Sequence, residues 1–397
     1  MPRLPHKARI SNATGRNSVK FTVNRDVFSD AVSFVVRLLP QRPTMPILGG
    51  VVLEAADASL SLSSFDYEVS SRTAVDAEVT ETGSVLVQGR LLADIASRLP
   101  NAPVEVTLDE STIAISCGSA SFSLPTMPLA EFPKLPTVEG RSGTVKADAF
   151  SEAVGQVAVA ASREEVAPVI TGVNLTLGAS MMELVATDRY RVAVREIQWE
   201  SEFDETETAL VPARIIAEIA KSFGGAETIT LTLVQSGERR LLAFSANSKT
   251  VTSTLLSGNF PPVGRLFPDE TPNYAVLQVS EVVDAVRRVQ LVLEREAALR
   301  FSFAQDGLRL EAVGSERAQA NELLDVALHS DDVVIALKPQ FLLDGVNALH
   351  AEFVRIAFTN TENPNKPGPV LLTAQTSRDE GENASFRYLL QPNLLMR

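Results

Sequence analysis

Asp66 in SFDYEVS and Asp188 in ATDRYRV are the carboxylates whose placement most invites a chemical reading. Paired carboxylates can hold a divalent metal, or divide acid and base duties in a hydrolysis when their environments push the two pKa values apart. These two, however, occupy the same position of an internal repeat, so each belongs to its own domain and recurs because that domain needs it. The simpler role is a short acidic side chain that accepts backbone N–H groups in the turn between two strands. Around Asp188, residues 184–196 (LVATDRYRVAVRE) gather Arg189, Tyr190, Arg191 and Arg195 in a chain of net charge −13. By itself such a knot reads as an amphipathic edge strand with solvated arginines.

Other constellations of chemistry are missing from the sequence. It contains no GxxxxGK[ST], GxGxxG, GxSxG, HExxH or CxxC, the patterns that cradle phosphates, activate a serine or hold zinc. His6, His329 and His350 are too widely separated to share a metal by local spacing and read as structural or surface residues. Cys117, the single cysteine, excludes an internal disulfide and sits in the strand-like TIAISCGSA as a small apolar residue. No metal or cofactor is expected. Residues 1–17 carry Arg3, Lys7, Arg9 and Arg16 without an apolar core, so they read as a disordered basic tail and not as a secretory signal. With no apolar run of the roughly 18–20 residues a membrane span needs, a cytoplasmic location is expected.

The elements that must position these residues come in repeats. Residues 25–69 and 147–191 superimpose without a gap at an offset of 122, with Phe28 on Phe150, Leu53 on Leu175 and Asp66 on Asp188. VLVQGRLLADIASRLP lies over ALVPARIIAEIAKSFGG in the same way, and a fainter third copy runs through VSEVVDAVRRVQ, LRFSFAQDGLRLEAV and IALKPQFLLDGVNALH. Helical spacing gives each copy two amphipathic helices, and period-two runs such as VEVTL and TIAIS give strands. The fold expected is α+β, three tandem domains of two helices packed on antiparallel sheet, over residues 18–142, 143–272 and 273–397. A scaffold for protein partners and a carboxylate-dependent hydrolase both remain compatible with that architecture.

The ordered motifs QRPTMPILGG, FSLPTMPLAEFPKLP, ATDRYRVAVRE, NFPPVGRLFP and YLLQPNL resemble those of the bacterial sliding clamp, the β subunit of DNA polymerase III, from about residue 21 to residue 393. The resemblance implies a homodimer whose six clamp domains form a ring around double-stranded DNA, bound without sequence preference. It further implies a processivity factor without a catalytic site of its own. The polymerase III catalytic subunit, the clamp loader and other polymerases, ligase and mismatch-repair proteins would dock through short linear motifs. Thr187, Asp188, Arg189, Tyr190, Arg191 and Val192 would form one wall of that peptide pocket. Ile170 would lie at its floor, Pro261 and Leu266 in a second wall, and Pro369, Leu389, Leu390 and Gln391 near the C-terminus. Arg42 of the RPTMP motif would contact DNA, and the helical windows add Arg37, Arg90, Arg98, Arg214, Lys221, Arg287 and Arg288. Phe122, Leu124 and Leu291 are the dimer-interface residues it suggests. Six helical windows together carry only −1 of the total −13, so the acidity lies mainly off the helices. Two places depart from the family: Gln391-Pro392-Asn393 stands where many members have Met-Pro-Met, and Arg189-Tyr190 where Gly-His is common.

Overall fold

The helical patterns fold as α1 (Arg25–Val36), α2 (Gly89–Ala96), α3 (Ala147–Ala158), α4 (Ala213–Ser222), α5 (Val279–Val289) and α6 (Pro339–Ala348), two to each repeat. The computed structural model describes residues 18–164, 166–237, 239–294, 297–314, 318–359 and 368–394. The basic tail expected over residues 1–17, with His6, lies outside the described residues.

Repeat identity extends to which side chains are buried. In α1 the buried face is Phe28, Ala31, Val32 and Val35, and in α3 it is Phe150, Ala153, Val154 and Val157, each 122 residues later. The spacing i, i+3, i+4, i+7 places these side chains on one stripe. The start of α1 is set by Asn24, whose side-chain oxygen accepts from the N–H groups of Asp26 (2.9 Å) and Val27 (3.3 Å). Such a cap contributes about 1 kcal/mol. Cys117 is buried as a small apolar residue, its Sγ 3.2 Å from the carbonyl oxygens of Pro100 and Ala102.

Three repeats form two compact units. The first takes the described residues up to Pro136 together with Asn247–Thr252, and the second takes the rest. In the first, the strands Val69–Asp76, Ser59–Phe65, Gly50–Ala56, Gly83–Gln88, Ala120–Met127, Thr112–Cys117, Val104–Asp109, Lys20–Val23 and Glu78–Glu81 follow one another in hydrogen-bonded order.

The second unit contains the central and C-terminal repeats, and a nine-stranded antiparallel sheet explains why they do not separate. Its order is Glu207–Pro212, Gly172–Leu177, Met181–Thr187, Arg191–Gln198, Glu382–Leu390, Val370–Gln375, Phe353–Phe358, Tyr274–Gln278 and Ala327–His329. The seam between the repeats is the register Arg191↔Leu390 through Arg195↔Phe386. The ATDRYR segment therefore leads into an interior strand, and the reading of an exposed edge is corrected: its second hydrogen-bonding side is taken by the C-terminal repeat.

On the C-terminal side of that seam, α6 comes so close to the sheet that a Cβ at Gly345 would sit 2.5 Å from the Tyr388 ring. Tyr388 is fully buried and has nowhere to yield. Gly345→Ala is expected to destabilise the unit by about 1–3 kcal/mol, the usual cost of overpacking, visible as a lower urea midpoint.

Candidate functional site

The turn joining Met181–Thr187 to Arg191–Gln198 is built by its own side chains. Asp188 Oδ1 accepts from the N–H groups of Tyr190 (3.0 Å) and Arg191 (3.1 Å). The Thr187 hydroxyl accepts from the Arg189 N–H and donates to the Arg191 carbonyl (2.7 Å). Arg189 takes φ +80°, in the left-handed region. The first repeat makes the same turn: Asp66 Oδ1 accepts from Glu68 and Val69, and Tyr67 takes φ +74°. Both aspartates serve their turns, as the structural reading of the sequence expected. They lie in different compact units.

The repeats differ at the last turn position, Val69 in the first and Arg191 in the second. Arg191 is 6% exposed. Its Nε donates to Asp188 Oδ2 (2.9 Å), and its Nη1 donates to Asp344 Oδ2 (2.6 Å) and the Tyr388 hydroxyl (3.1 Å). The Phe341 ring lies 4.4 Å from the guanidinium carbon. Tyr388 donates to the Phe341 carbonyl at 2.8 Å. Burial works against the Arg191 charge, but Tyr388, Asp344 and Asp188 outweigh it and hold the guanidinium above its ordinary pKa. Burial pushes the Tyr388 phenol up, against the pull of Arg191. Arg191 is thus a buried clamp between strands and α6, and the N–H groups of its Nε and Nη1 face inward partners.

The remaining sequence-predicted residues divide into a support and a surface. Thr187, Val192, Leu389, Leu390 and Ile170 are buried. Val192 and Leu389 are opposite each other across the seam and join Val185, Val194, Ala357 and Leu371 in an apolar cluster covered by Phe260, Val263 and Phe267. Of the others, Arg189, Leu266 and Gln391 are exposed, Tyr190 is 57% exposed with its ring 6.2 Å from that of Phe341, and Pro261 and Pro369 are half-buried. The Gln391 N–H donates to the Tyr190 carbonyl at 2.8 Å, tying the C-terminal strand to the turn.

Sequence reasoning missed Lys338, Phe341, Asp344 and Tyr388. Lys338 Nζ lies 5.7 Å from the Tyr190 ring and 5.4 Å from the Phe341 ring, and the two rings are 6.2 Å apart. The signal of the first three was the i, i+3, i+6 run Lys338, Phe341, Asp344 at and after the α6 cap, a mixed polar and aromatic face where the helix pattern was read only for its apolar side.

The cations expected to face DNA are all exposed, but not equally available. Arg98 pairs with Asp94, Lys221 with Glu218 and Arg288 with Glu322, while Arg90 donates to the Leu39 carbonyl. Among the described residues Arg37, Arg42, Arg214 and Arg287 have no carboxylate partner. Of the expected interface residues, Phe122 is 37% and Leu291 82% exposed, whereas Leu124 is 2% exposed and belongs to its own unit's core. The Leu124 side chain therefore packs inside its own unit. His329 stacks on Tyr274 (centroids 4.5 Å apart), and the exposed His350 lies 3.6 Å from Glu152. Among the described residues no group of three or more His, Cys, Asp or Glu is placed to hold a metal, and no helix is long and apolar enough to cross a membrane.

Three family models match in tandem: DNA polymerase III beta subunit N-terminal domain over residues 19–136, central domain over 144–262 and C-terminal domain over 264–373. The chain is 43% identical to the beta sliding clamp of Streptomyces coelicolor over 376 residues, 94% of this chain and 99% of that protein. It is 40% identical to the beta sliding clamp of Micrococcus luteus over 311 residues, 78% of this chain and 100% of that one. The DNA polymerase sliding clamp of Bacillus subtilis has a similar fold, with a TM-score of 0.85 at 23% identity, covering 95% of this chain and 100% of that chain.

Replacing Arg191 by Met leaves Asp188 and Asp344 without their shared cation. The expected loss is about 3–5 kcal/mol, typical of breaking a buried pair from one side, measured by urea unfolding. Arg191→Lys is expected to recover little of it, because one ammonium cannot address both carboxylates and the phenol along a planar fork.

Proposed function

The chain belongs to the DNA polymerase III beta subunit family and is a sliding clamp, and from this we propose that two copies join head to tail into a six-domain ring around duplex DNA. Its domains are residues 18–142, 143–272 and 273–397. Two unlike open edges support the closure. The strand Ala120–Met127 pairs with Gly83–Gln88 only at Thr126 and Met127, which leaves residues 120–124, with exposed Phe122, open on that side. In the second unit Gln319–Leu324 ends its four-stranded sheet, and Leu291 is exposed. Unlike complementary edges make a heterologous contact, and a ring results when the rotation closes.

Arg37, Arg42, Arg214 and Arg287 are the cations free to meet phosphates. Contacts of this kind carry no sequence information and leave the protein free to slide. The feature that supports partner docking is the exposed Leu266 between Val263 and Phe267, which pack with Phe260 on the Val192–Leu389 cluster, near the half-buried Pro261. It offers apolar anchoring with a polar rim to a short extended peptide. The occupants are short linear motifs of the polymerase III catalytic subunit, the clamp loader, other polymerases, ligase and mismatch-repair proteins. The protein acts in the cytoplasm as a processivity factor and not as a catalyst, since Asp188 is committed to its turn and to Arg191.

Leu291→Asp places a charge on one proposed edge without disturbing a core. It is expected to convert a dimeric sizing profile to a monomeric one and to abolish retention on closed circular plasmid, while wild-type protein loaded on the circle runs off after linearisation. A dimeric profile for this variant refutes the edge assignment. For docking, Leu266→Asp is expected to weaken a labelled polymerase-tail peptide by about tenfold or more, the equivalent of one apolar anchor. Arg72→Ala, on the corresponding strand of the first repeat, is expected to leave the peptide's fluorescence polarisation titration unchanged. Equal affinities for wild type and Leu266→Asp would place the peptide elsewhere.

A further inference from the structure

The segment that carries Leu266 is fastened to the sheet by side chains. The N–H groups of Val263, Leu266 and Phe267 donate to the carbonyls of Pro261, Val263 and Gly264, bonds that hold the turn together without tying it to the sheet. Phe260, Val263 and Phe267 rest on the Val192–Leu389 cluster. A charged row continues that face. Side chains alternate along a strand, so Glu196 follows Val192 and Val194 on one side of the sheet, and Arg387 precedes Leu389. Arg387 is opposite Val194 in the register. Its Nη2 donates to Glu196 Oε1 at 2.8 Å, and its guanidinium carbon lies 5.1 Å from the centre of the Phe267 ring. Glu183 is opposite Glu196 on the other side. Burial pushes the Glu183 carboxyl up, Glu196 adds to this and Arg387 opposes it. Farther along the segment, Arg355 donates Nη2 to the Thr271 carbonyl at 2.7 Å and lies 3.5 Å from the centre of the Tyr274 ring. Arg355 thus grips backbone, whereas Arg387 meets the segment through a ring.

We propose that Arg387 is a positioning residue for the docking surface: held by Glu196, it fixes the Phe267 ring, and through the adjoining turn Gly264–Leu266 it sets where Leu266 stands. This role rests on the reading of Leu266 as the peptide's anchor. Packing on an apolar cluster has no preferred direction, so by itself it leaves the ring free to slide. A cation over an aromatic face adds a direction, and this cation is itself pinned by a carboxylate. The Phe267 N–H, bonded to the Gly264 carbonyl at 3.2 Å, closes the turn whose last residue is Leu266, so a displaced ring displaces the anchor. A wall that already stands in place spares the peptide the cost of ordering it. Arg387 and Glu196 therefore act on affinity without touching the peptide.

The test is a double-mutant cycle on the full chain, read by fluorescence polarisation of the labelled polymerase-tail peptide and by fluorine NMR of protein carrying fluorophenylalanine. The Phe267 signal is identified by its loss in Phe267→Leu. Arg387→Met keeps an apolar stem over the ring and removes the charge. It is expected to shift the Phe267 signal and to weaken the peptide by about two- to fivefold, the worth of one partly exposed contact between a cation and a ring. Phe267→Leu is expected to weaken the peptide at least as much, and Arg387→Met added to it is expected to cost nothing further, because residues acting through one contact are not additive. Arg387→Lys is expected to restore most of the affinity, since an ammonium is also drawn to the ring face. Should Arg387→Met fold poorly beside the unpaired Glu183 and Glu196, Glu196→Gln combined with it removes that repulsion and gives the same reading. Losses that add make Arg387 a direct contact of the peptide and overturn the proposal. An unmoved Phe267 signal, or wild-type affinity in Arg387→Met while Leu266→Asp weakens the peptide, removes the role of Arg387 and leaves the docking surface standing. Wild-type affinity in both variants removes the docking surface and this role with it.

Discussion

Removing a guanidinium from water is costly unless its charge and its N–H groups are met by protein, and around Arg191 that requirement ties three pieces of chain together. Asp188 comes from the turn, Asp344 from α6 and Tyr388 from the C-terminal strand, each within hydrogen-bond distance. Burial raises the Tyr388 phenol, so it remains neutral and can donate to the Phe341 carbonyl while accepting from Arg191. Asp188, Asp344 and Tyr388 each bond to the guanidinium beneath the turn. Arg189 and Tyr190 are then presented to solvent by a backbone that the Asp188 carboxylate and Thr187 hydroxyl hold from below.

The seam beneath this network shows how the chain manages sheet edges. Five residue pairs from Arg191↔Leu390 to Arg195↔Phe386 fuse two repeats into one sheet, and the Val192–Leu389 cluster fills one side of it. Ion pairs and hydrogen bonds fasten the other positions, with Arg387 reaching Glu196 at 2.8 Å and Arg195 bonded to Ser385. Where no partner strand is supplied among the described residues, as along Gln319–Leu324, the edge carries a charge. Glu322 is held by Arg288, whose hydrogen bonds keep the carboxyl below the ordinary carboxylate range. A charged edge resists indiscriminate pairing and leaves a matched edge as the preferred partner.

Charge is distributed on the same principle. Arg98, Lys221 and Arg288 are neutralised within the chain, so a count of basic residues on helices overstates what is available to phosphate. The arginines without a carboxylate partner are fewer. The phosphate contacts proposed for these side chains are of the loose kind that suits a protein that must hold DNA without stopping on it.

Much of the fold and part of the site were legible in the sequence. The 122-residue offset carried the helix faces from Phe28 and Val32 to Phe150 and Val154, because burial of an amphipathic stripe depends on local periodicity. The aspartates at 66 and 188 could be read as turn formers because an Asx turn is made within three residues. Pairing across long separations could not be read. Arg191 and Tyr388 are 197 positions apart, and no local pattern states that a strand near residue 191 will be completed by one near 390. The sequence by itself thus determined the repeated α+β units, their apolar faces and the turn chemistry. Tertiary structure decided that Arg191 is buried, that Leu124 faces the core, and that two repeats share one sheet, because these depend on which backbone edges and charges meet when distant segments pack.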